Sequence, residues 1–215
     1  MEMTISQMKD DVCRWARVSY SEHLFAGTSG NLSVYDHDKQ LMVITPTSFP
    51  YELLTPDDMV VMHLDGTCVT DASLRPSSEW RMHAVIYRQM PEVNAVIHTH
   101  SPYATAFAVN HKPIPAALIE MVAFLGGDVP LAAFAMPGTE NVGTEAVKIM
   151  TDRTACLLAN HGVLAIGNTL ESAHTRAVYV EDAARICSIA AGNGSIFTIE
   201  DKYIDAMRGR KGNNK

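Results

Sequence analysis

Two histidines, His98 and His100, stand two residues apart at the end of a short run rich in β-branched residues. Successive side chains of a strand point to opposite faces, so this spacing places both imidazoles on one face. Two neutral imidazoles on one face can bind a single metal ion, and Zn²⁺ prefers nitrogen and carboxylate ligands in a tetrahedral arrangement. Packing or hydrogen bonding alone would also explain such a pair. We treat it as half of a candidate zinc site.

Two further ligands are needed to complete such a site. His161 precedes Gly162 at a predicted strand end, where the missing Cβ leaves room for an ion or a substrate. Glu79 is the candidate fourth ligand, in the first turn of a helix predicted to begin at Ser77. A helix dipole favours a carboxylate in that position without any metal. His83, four residues later on the same helical face, offers a rival Glu-x-x-x-His pair.

Three segments rich in glycine, serine and threonine favour an anion site. They occupy residues 27–31, 45–48 and 77–78. Loops and helix N-termini of this composition present backbone N–H groups and hydroxyls, which bind phosphate without a cluster of arginines. Each segment alone is also ordinary turn or cap composition. Together with the candidate metal site, they predict a phosphorylated substrate.

Composition excludes several other classes of protein. The chain has 215 residues, with 17 Lys+Arg against 24 Asp+Glu, and this net acidity argues against a nucleic-acid partner. Its longest apolar runs, such as 131–136, are too short to cross a membrane, and the N-terminus has no apolar signal-peptide core. The four cysteines form no CxxC pair and are expected to stay reduced. We therefore expect a cytoplasmic protein.

Hydrophobic periodicity and turn residues predict the elements that position these side chains. We expect a single domain over residues 1–207, of α/β or α+β class with mostly antiparallel strands, and a polar, disordered tail over 208–215. No nucleotide-binding glycine motif and no serine-hydrolase motif occurs. The predicted helices are 4–25, 77–90, 102–109, 141–150 and one that opens at a capping box of Asn168 and Glu171 and closes at Gly192; the predicted strands are 32–35, 41–45, 59–64, 68–71, 95–100, 129–134, 155–159 and 163–166.

Five short motifs stand in a characteristic order along the chain. They are Gly-Thr-Ser-Gly-Asn-Leu-Ser at 27–33, Ile-Thr-Pro-Thr at 44–47, Pro-Ser-Ser-Glu-Trp at 76–80, His-Thr-His at 98–100 and Asn-His-Gly at 160–162. Each motif alone is weak, but all five in this order resemble the zinc-dependent class II aldolase/adducin family. The resemblance covers residues 5–190 and is strongest to the branch that acts on L-fuculose 1-phosphate. It implies a central, mainly antiparallel sheet between helical layers, a three-layer α/β/α fold.

The resemblance also implies roles for individual residues. One Zn²⁺ per subunit would be held by Glu79, His98, His100 and His161 and would act as a Lewis acid, with Glu79 as the general base. The substrate phosphate would be held by Gly30, Asn31, Thr47, Ser48, Ser77 and Ser78, although the family aldolase has glycine where this chain has Ser48. It further implies a homotetramer with active sites at the subunit interfaces.

Glu120 is a departure from the family pattern. Counted back from Gly126, it falls where the fuculose-phosphate branch has a tyrosine that reaches the neighbouring subunit's site and protonates the aldehyde-side oxygen. A carboxyl group whose pKa is raised by burial could replace that tyrosine. The alternative interpretation of Glu120 is an acid on a helix surface.

The predicted activity is cleavage of a deoxy-ketose 1-phosphate, resembling L-fuculose 1-phosphate, to dihydroxyacetone phosphate and an aldehyde such as L-lactaldehyde. Within the family the alternatives are a 5-deoxyribulose-1-phosphate aldolase, a pentulose-phosphate 4-epimerase, and a sugar-phosphate dehydratase or decarboxylase. A non-catalytic oligomerising module, like the adducin head, is the alternative from another class. It is disfavoured because all four ligand positions are filled in this chain.

Overall fold

A sheet of seven strands forms the centre of the computed structural model, which describes residues 3–69 and 74–212. Its strands are β1 Asn31–Asp36, β2 Leu41–Ile44, β3 Val60–Met62, β4 Ala95–Thr99, β5 Leu131–Ala132, β6 Ala155–Leu158 and β7 Gly162–Gly167. They lie in the order β3-β2-β1-β4-β7-β6-β5. The β5–β6 pair is parallel and the other neighbouring pairs are antiparallel, which confirms the predicted mainly antiparallel sheet.

Helices cover both faces of the sheet, so the three-layer architecture is confirmed. The helices are α1 Ile5–Ser21, α2 Trp80–Gln89, α3 Pro102–Val109, α4 Glu140–Ile149, α5 Leu170–Asn193 and α6 Asp201–Gly212. A π-helical turn spans Met121–Leu125, and short 3-10 turns span Tyr51–Leu53 and Pro56–Asp58. One apolar core joins one sheet face to α1, α3 and α5, and a second joins the opposite face to α2 and α4.

Side chains along β1 and β4 alternate between the two faces of the sheet, and this alternation determines which face carries Asn31 and His98. Leu32 and Ile97 belong to the core under α1 and α5, whereas Val96 belongs to the core under α2 and α4. Asn31 pairs directly with His98 in the β1–β4 register. Because side chains alternate with a period of two, Asn31 and His98 both point toward the α2 face.

Helix α2 begins later than predicted. Ser77 is not its N-cap, because the Ser77 N–H donates to Thr45 O and a bridge between Pro46 and Pro76 keeps this segment extended. The N-cap is Glu79, whose side chain makes no capping hydrogen bond. The prediction of a first-turn glutamate at position 79 is therefore wrong, and its carboxylate is free to point into the molecule.

Two other boundaries also differ from the predictions. Helix α5 is capped one residue later than expected, by a reciprocal pair of Thr169 and Ser172, and it continues to Asn193. The predicted strand over 129–134 shrinks to two residues, because Val129 pairs instead with Ile114 in an isolated bridge.

The hairpin predicted from 59–64 and 68–71 is reduced to β3 and a single bridge between Met62 and Cys68. Residues 70 and 71 lie outside the described residues. No helix of the described chain is long and apolar enough to span a membrane.

The C-terminal segment is more ordered than predicted. Helix α6 continues through the predicted tail boundary to Gly212. The Arg208 guanidinium donates to the carbonyl of Gly126, and it lies 3.0 Å from a carboxylate oxygen of Asp152. The expectation of disorder from residue 208 is thus wrong up to Gly212, and residues 213–215 lie outside the described chain. The polar composition of this segment gave no sign that one of its arginines donates to the carbonyl of Gly126, the C-cap residue of the π-helical turn.

Candidate metal centre

Glu79, His98, His100 and His161 converge at one end of the sheet. Their potential ligand atoms all lie within 4.8 Å of one another. Glu79 Oε2 is 3.0 Å from His98 Nε2, and Glu79 Oε1 is 3.4 Å from His161 Nε2. His98 Nε2 and His100 Nε2 are 2.8 Å apart. The four residues that the sequence singled out are therefore neighbours in space.

Three elements bring these side chains together. His98 lies on β4 and His100 directly after it, His161 lies in the β6–β7 turn, and Glu79 stands at the N-terminus of α2. The turn can approach β4 because Gly162 has no Cβ, which would otherwise lie 2.3 Å from the Thr99 carbonyl oxygen. The space predicted at Gly162 is thus filled by the neighbouring strand end.

Asn160 shapes the turn that carries His161, and sequence reasoning missed this role. Its backbone has φ of 54°, in the left-handed region that asparagine tolerates better than most residues. Its N–H donates to Ala108 O, and its Oδ1 lies 2.6 Å from His111 Nε2. The Asn-His-Gly motif therefore combines a turn former, a candidate ligand and a close-packed glycine.

The hydrogen bonds of His98 set its tautomer. Its Nδ1 lies 2.8 Å from the backbone carbonyl oxygen of Val163, so Nδ1 carries the proton. In a neutral ring the Nε2 lone pair is then bare and points into the cluster. A carbonyl that orients an imidazole in this way is the usual outer partner of a metal-bound histidine.

The charge states in the cluster suit a cation. Burial, followed by repulsion from His98 and His161, lowers the pKa of His100 to about 3, so His100 is neutral. Burial by itself raises the pKa of Glu79, but the attraction and close polar contacts of His98 and His161 outweigh it and hold that pKa well below its usual range. The cluster thus combines an ionised carboxylate with neutral imidazole nitrogen.

One atom of the cluster lacks a hydrogen-bond partner. Glu79 Oε1 is buried, and no donor reaches it with acceptable geometry among the described residues. A buried carboxylate oxygen left unpaired is costly. A divalent cation would satisfy it, and three imidazoles with one carboxylate form a donor set that zinc accepts. The residues present therefore fit a metal ion.

A cleft of about 310 Å³ opens beside the cluster. Its wall includes Glu79, His100 and His161, and His98 lies fully buried behind them. All six residues predicted to hold a phosphate line the same cleft, namely Gly30, Asn31, Thr47, Ser48, Ser77 and Ser78. The structure thus brings the two halves of the predicted site into one cavity.

The bridge between Pro46 and Pro76 decides which backbone donors can serve an anion. The N–H groups of Thr47 and Ser77 are used in hydrogen bonds to other loop residues. No intramolecular acceptor is found among the described residues for the N–H groups of Ser48 and Ser78. The cleft wall, as far as the chain is described, contains no Lys or Arg. Any anion there would be bound by neutral donors.

Two features of the cleft were not predicted. Pro137 and Gly138 line it from the loop before α4, and a proline–glycine pair was the available turn signal. Ser48 has φ of 54°, a conformation that glycine adopts without strain. The position at which the family resemblance implies a glycine thus has a left-handed backbone in this chain, although a serine occupies it.

Two predicted residues lie elsewhere. Glu120 is exposed at the start of the π-helical turn and does not line the cleft of its own chain. A role in a neighbouring copy's site stays a prediction. His83 does not pair with Glu79, because its Nε2 lies 2.5 Å from Asn31 Oδ1. The rival Glu-x-x-x-His ligand pair is therefore wrong.

Comparisons with known proteins agree with this geometry. A 5-deoxy-D-ribulose 1-phosphate aldolase of Bacillus thuringiensis is 35% identical over 184 residues, which cover 86% of this chain and 85% of that protein. A 5-methylthioribulose-1-phosphate/5-deoxyribulose-1-phosphate aldolase of Rhodospirillum rubrum is 43% identical over 159 residues, covering 74% of this chain and 70% of that protein. A solved L-fuculose 1-phosphate aldolase is 36% identical, covers 98% of both chains and superposes with a TM-score of 0.91.

These relatives are named as aldolases, in agreement with the predicted type of enzyme. The family described as Class II Aldolase and Adducin N-terminal domain matches residues 10–188. The match spans most of the chain and includes every candidate ligand. The protein belongs to the class II aldolase and adducin family.

Proposed function

We propose that this protein is a zinc-dependent aldolase that cleaves a deoxy-ketose 1-phosphate to dihydroxyacetone phosphate and a short aldehyde. The observation that carries the proposal is the shared cleft, in which a Glu/His₃ cluster adjoins loops with neutral phosphate donors. A phosphate and a carbonyl group of one small molecule could therefore be bound together. Glu79, His98, His100 and His161 would hold the metal.

A bound zinc ion would supply Lewis acidity, which stabilises negative charge on oxygen during carbon–carbon bond cleavage. The phosphate would accept hydrogen bonds from the Ser48 and Ser78 backbone and from nearby hydroxyls, and this would fix the C1 end of the substrate. After the C3–C4 bond breaks, C3 must gain a proton, and Glu79, which lines the cleft, would take that proton from solvent and donate it to C3, returning to its carboxylate form.

A second group must take the proton of the C4 hydroxyl as the C3–C4 bond breaks. No further carboxylate or phenol lines this cleft among the described residues. We assign this step to Glu120 of a neighbouring copy, which agrees with its exposure in the single chain. The assembly would then be a homotetramer with the site completed at an interface, in the cytoplasm.

Two substrates fit this reaction equally well in chemical terms. Cleavage of 5-deoxyribulose 1-phosphate gives acetaldehyde, and cleavage of L-fuculose 1-phosphate gives L-lactaldehyde; both release dihydroxyacetone phosphate. Relatives with each name match this chain over most of its length. The two differ only in the aldehyde portion, whereas the phosphate loops and the metal cluster would hold the dihydroxyacetone phosphate portion that both share.

The test is a coupled assay for dihydroxyacetone phosphate, with both sugars and L-ribulose 5-phosphate as substrates. We expect dihydroxyacetone phosphate from at least one ketose 1-phosphate, with the aldehyde identified by chromatography. Conversion of ribulose 5-phosphate to a product with the same number of carbons would identify an epimerase instead. Absence of dihydroxyacetone phosphate from both ketose 1-phosphates would overturn the proposal.

A further inference from the structure

Behind the metal cluster, five polar side chains form a row between α2 and β1. Glu79, His83 and Tyr87 follow one another at intervals of four residues, so they share one face of α2, with Glu79 at its N-cap. Asn31 and Ser33 are two residues apart on the facing side of β1. The residues of the two elements alternate along the row, which is buried from Asn31 to Tyr87.

Each neighbouring pair in the row is within hydrogen-bond distance. Asn31 Nδ2 donates to Glu79 Oε2 at 3.4 Å, and His83 Nε2 lies 2.5 Å from Asn31 Oδ1. The Ser33 hydroxyl lies 2.7 Å from His83 Nδ1 and 2.7 Å from the Tyr87 hydroxyl. The row therefore connects the interior of α2 to the carboxylate in the cleft.

The direction of the donors follows from the chemistry of each group. The amide oxygen of Asn31 can only accept, so the proton of His83 lies on Nε2. Complete burial, followed by repulsion from His98, lowers the pKa of His83 to about 3, so the ring is neutral and its Nδ1 is bare. Nδ1 then accepts from the Ser33 hydroxyl. The Tyr87 hydroxyl donates to the Ser33 backbone carbonyl oxygen at 3.0 Å and ends the row beside the Ser33 hydroxyl. From Ser33 to Glu79, each donor therefore points toward the carboxylate.

The orientation of the Asn31 amide has a consequence for the cleft. In the observed orientation its N–H₂ group faces Glu79, and Asn31 also lines the cleft. In the flipped orientation Oδ1 would face the carboxylate of Glu79, and two oxygen acceptors would repel each other. The bond from His83 to Oδ1 opposes that flip. A fully apolar side chain at position 83 would fill space without opposing it.

We propose that His83 is a positioning residue that sets the amide orientation of Asn31, so that its N–H₂ group supports Glu79 and is presented to the substrate. The effect on catalysis rests on the proposed aldolase function. The effect on Glu79 as a metal ligand does not, because it can be measured with zinc alone.

The experiment is a double-mutant cycle that combines His83→Leu with Asn31→Leu. Zinc affinity is measured by competition with a chromogenic chelator, and kcat/KM is measured for release of dihydroxyacetone phosphate. Loss of an outer partner of a metal ligand typically costs about tenfold or more. We expect His83→Leu to lower zinc affinity and kcat/KM by about tenfold when Asn31 is present, and by less than about twofold in the Asn31→Leu background.

Two further variants separate positioning from packing. His83→Gln keeps an N–H donor near Asn31 Oδ1 and should retain most of the zinc affinity. Ser33→Ala is a small change that frees the His83 tautomer and tests the row even if His83→Leu fails to fold. We expect it to weaken zinc binding about threefold, again only when Asn31 is present.

Equal losses for His83→Leu in both Asn31 backgrounds would overturn the proposal, since His83 would then act by packing alone. A His83→Gln variant as weak as His83→Leu would overturn it as well. If no sugar phosphate yields dihydroxyacetone phosphate, the proposed function fails, while the zinc-affinity cycle still tests the role of His83.

Discussion

His98 Nε2 and His100 Nε2 lie 2.8 Å apart, with the Nδ1–H of His98 committed to the carbonyl of Val163. Because the Nε2 lone pair of His98 is bare, either a proton on Nε2 of His100 or a metal ion can lie between the two nitrogens. A metal ion would bind both nitrogens at once when the proton of His100 lies on its Nδ1. This pair therefore anchors the predictions about the metal.

We predict that the purified protein binds about one zinc ion per chain, as expected for a single four-ligand site. His98→Ala should abolish stoichiometric binding, because it removes the ligand whose tautomer the protein fixes. Elemental analysis after dialysis measures both. His63→Ala is the control, because that histidine lies outside the cluster, and it should keep its zinc. A His98→Ala protein with full zinc content would contradict the assigned site.

Glu79→Gln should abolish cleavage. The substitution keeps the shape of the side chain but removes both the charge and the base, and loss of a general base costs about 10²–10⁴-fold in rate. Initial rates of dihydroxyacetone phosphate release at saturating zinc give the measurement. Glu145→Gln, in an exposed ion pair with Lys148, should leave kcat unchanged. Near-normal turnover by Glu79→Gln would remove Glu79 from the mechanism.

Glu120→Gln should lower kcat by about 10²-fold without changing zinc content, if Glu120 acts on the substrate in a neighbouring copy's site. Steady-state kinetics together with elemental analysis separates this loss from a metal defect. Mixing Glu120→Gln with Glu79→Gln subunits offers a further check. Mixed assemblies should regain activity, because an intact glutamate of each kind can then meet at one interface. Unchanged kcat would make Glu120 a surface acid.

Gly162→Ala should destabilise the fold and weaken zinc binding. The new Cβ would lie 2.3 Å from Thr99 O and within 3.4 Å of the His98 and His100 rings. Overpacking of this kind costs about 1–3 kcal/mol in the free energy of unfolding. Gly192→Ala is the matched control in helix α5, where nothing lies within 4 Å of the added Cβ. It should stabilise by about 0.5–1 kcal/mol, because alanine favours helix. Urea unfolding measures both changes.

Stability without metal should fall as the pH drops below about 6.5. The pKa of His83 is about 3 in the folded chain and 6.5 in the reference state. Between these values the unfolded chain binds a proton that the folded chain does not, so acidification favours unfolding. The slope for one such group is up to about 1.4 kcal/mol per pH unit. His83→Gln should flatten the curve between pH 6 and 4.5 in urea titrations with excess chelator.

Much of the candidate site was predictable because it depends on residues that lie close together in the sequence. The two-residue spacing of His98 and His100 on a strand places both rings on one face wherever that strand lies. Glycine and serine are typical turn residues, so the glycine- and serine-rich segments also predict turns with available N–H donors from local sequence alone. The mainly antiparallel sheet followed from short strands joined by turns. These features need only near neighbours in the chain.

Other features depend on contacts between distant segments. Helix α2 starts at Trp80 because residues 75–77 are held extended by the loop after β2, and no helix signal near Ser77 reveals that partner. Helix α6 persists because Arg208 binds the carbonyl of Gly126, which lies far away in sequence. For the start of α2 and for α6, the sequence provides only local composition, and in both segments the prediction from composition was wrong.

By itself, then, the sequence determined the candidate ligands, the candidate phosphate loops and the family to which the chain belongs. Only the tertiary structure decided that the Glu79 side chain points into the histidine cluster and makes no capping hydrogen bond to α2, and that His83 lies behind Asn31 and outside that cluster. The physical reason is that residue type and spacing set which groups can share a face. Which faces then meet is decided by the packing of α2 against the sheet.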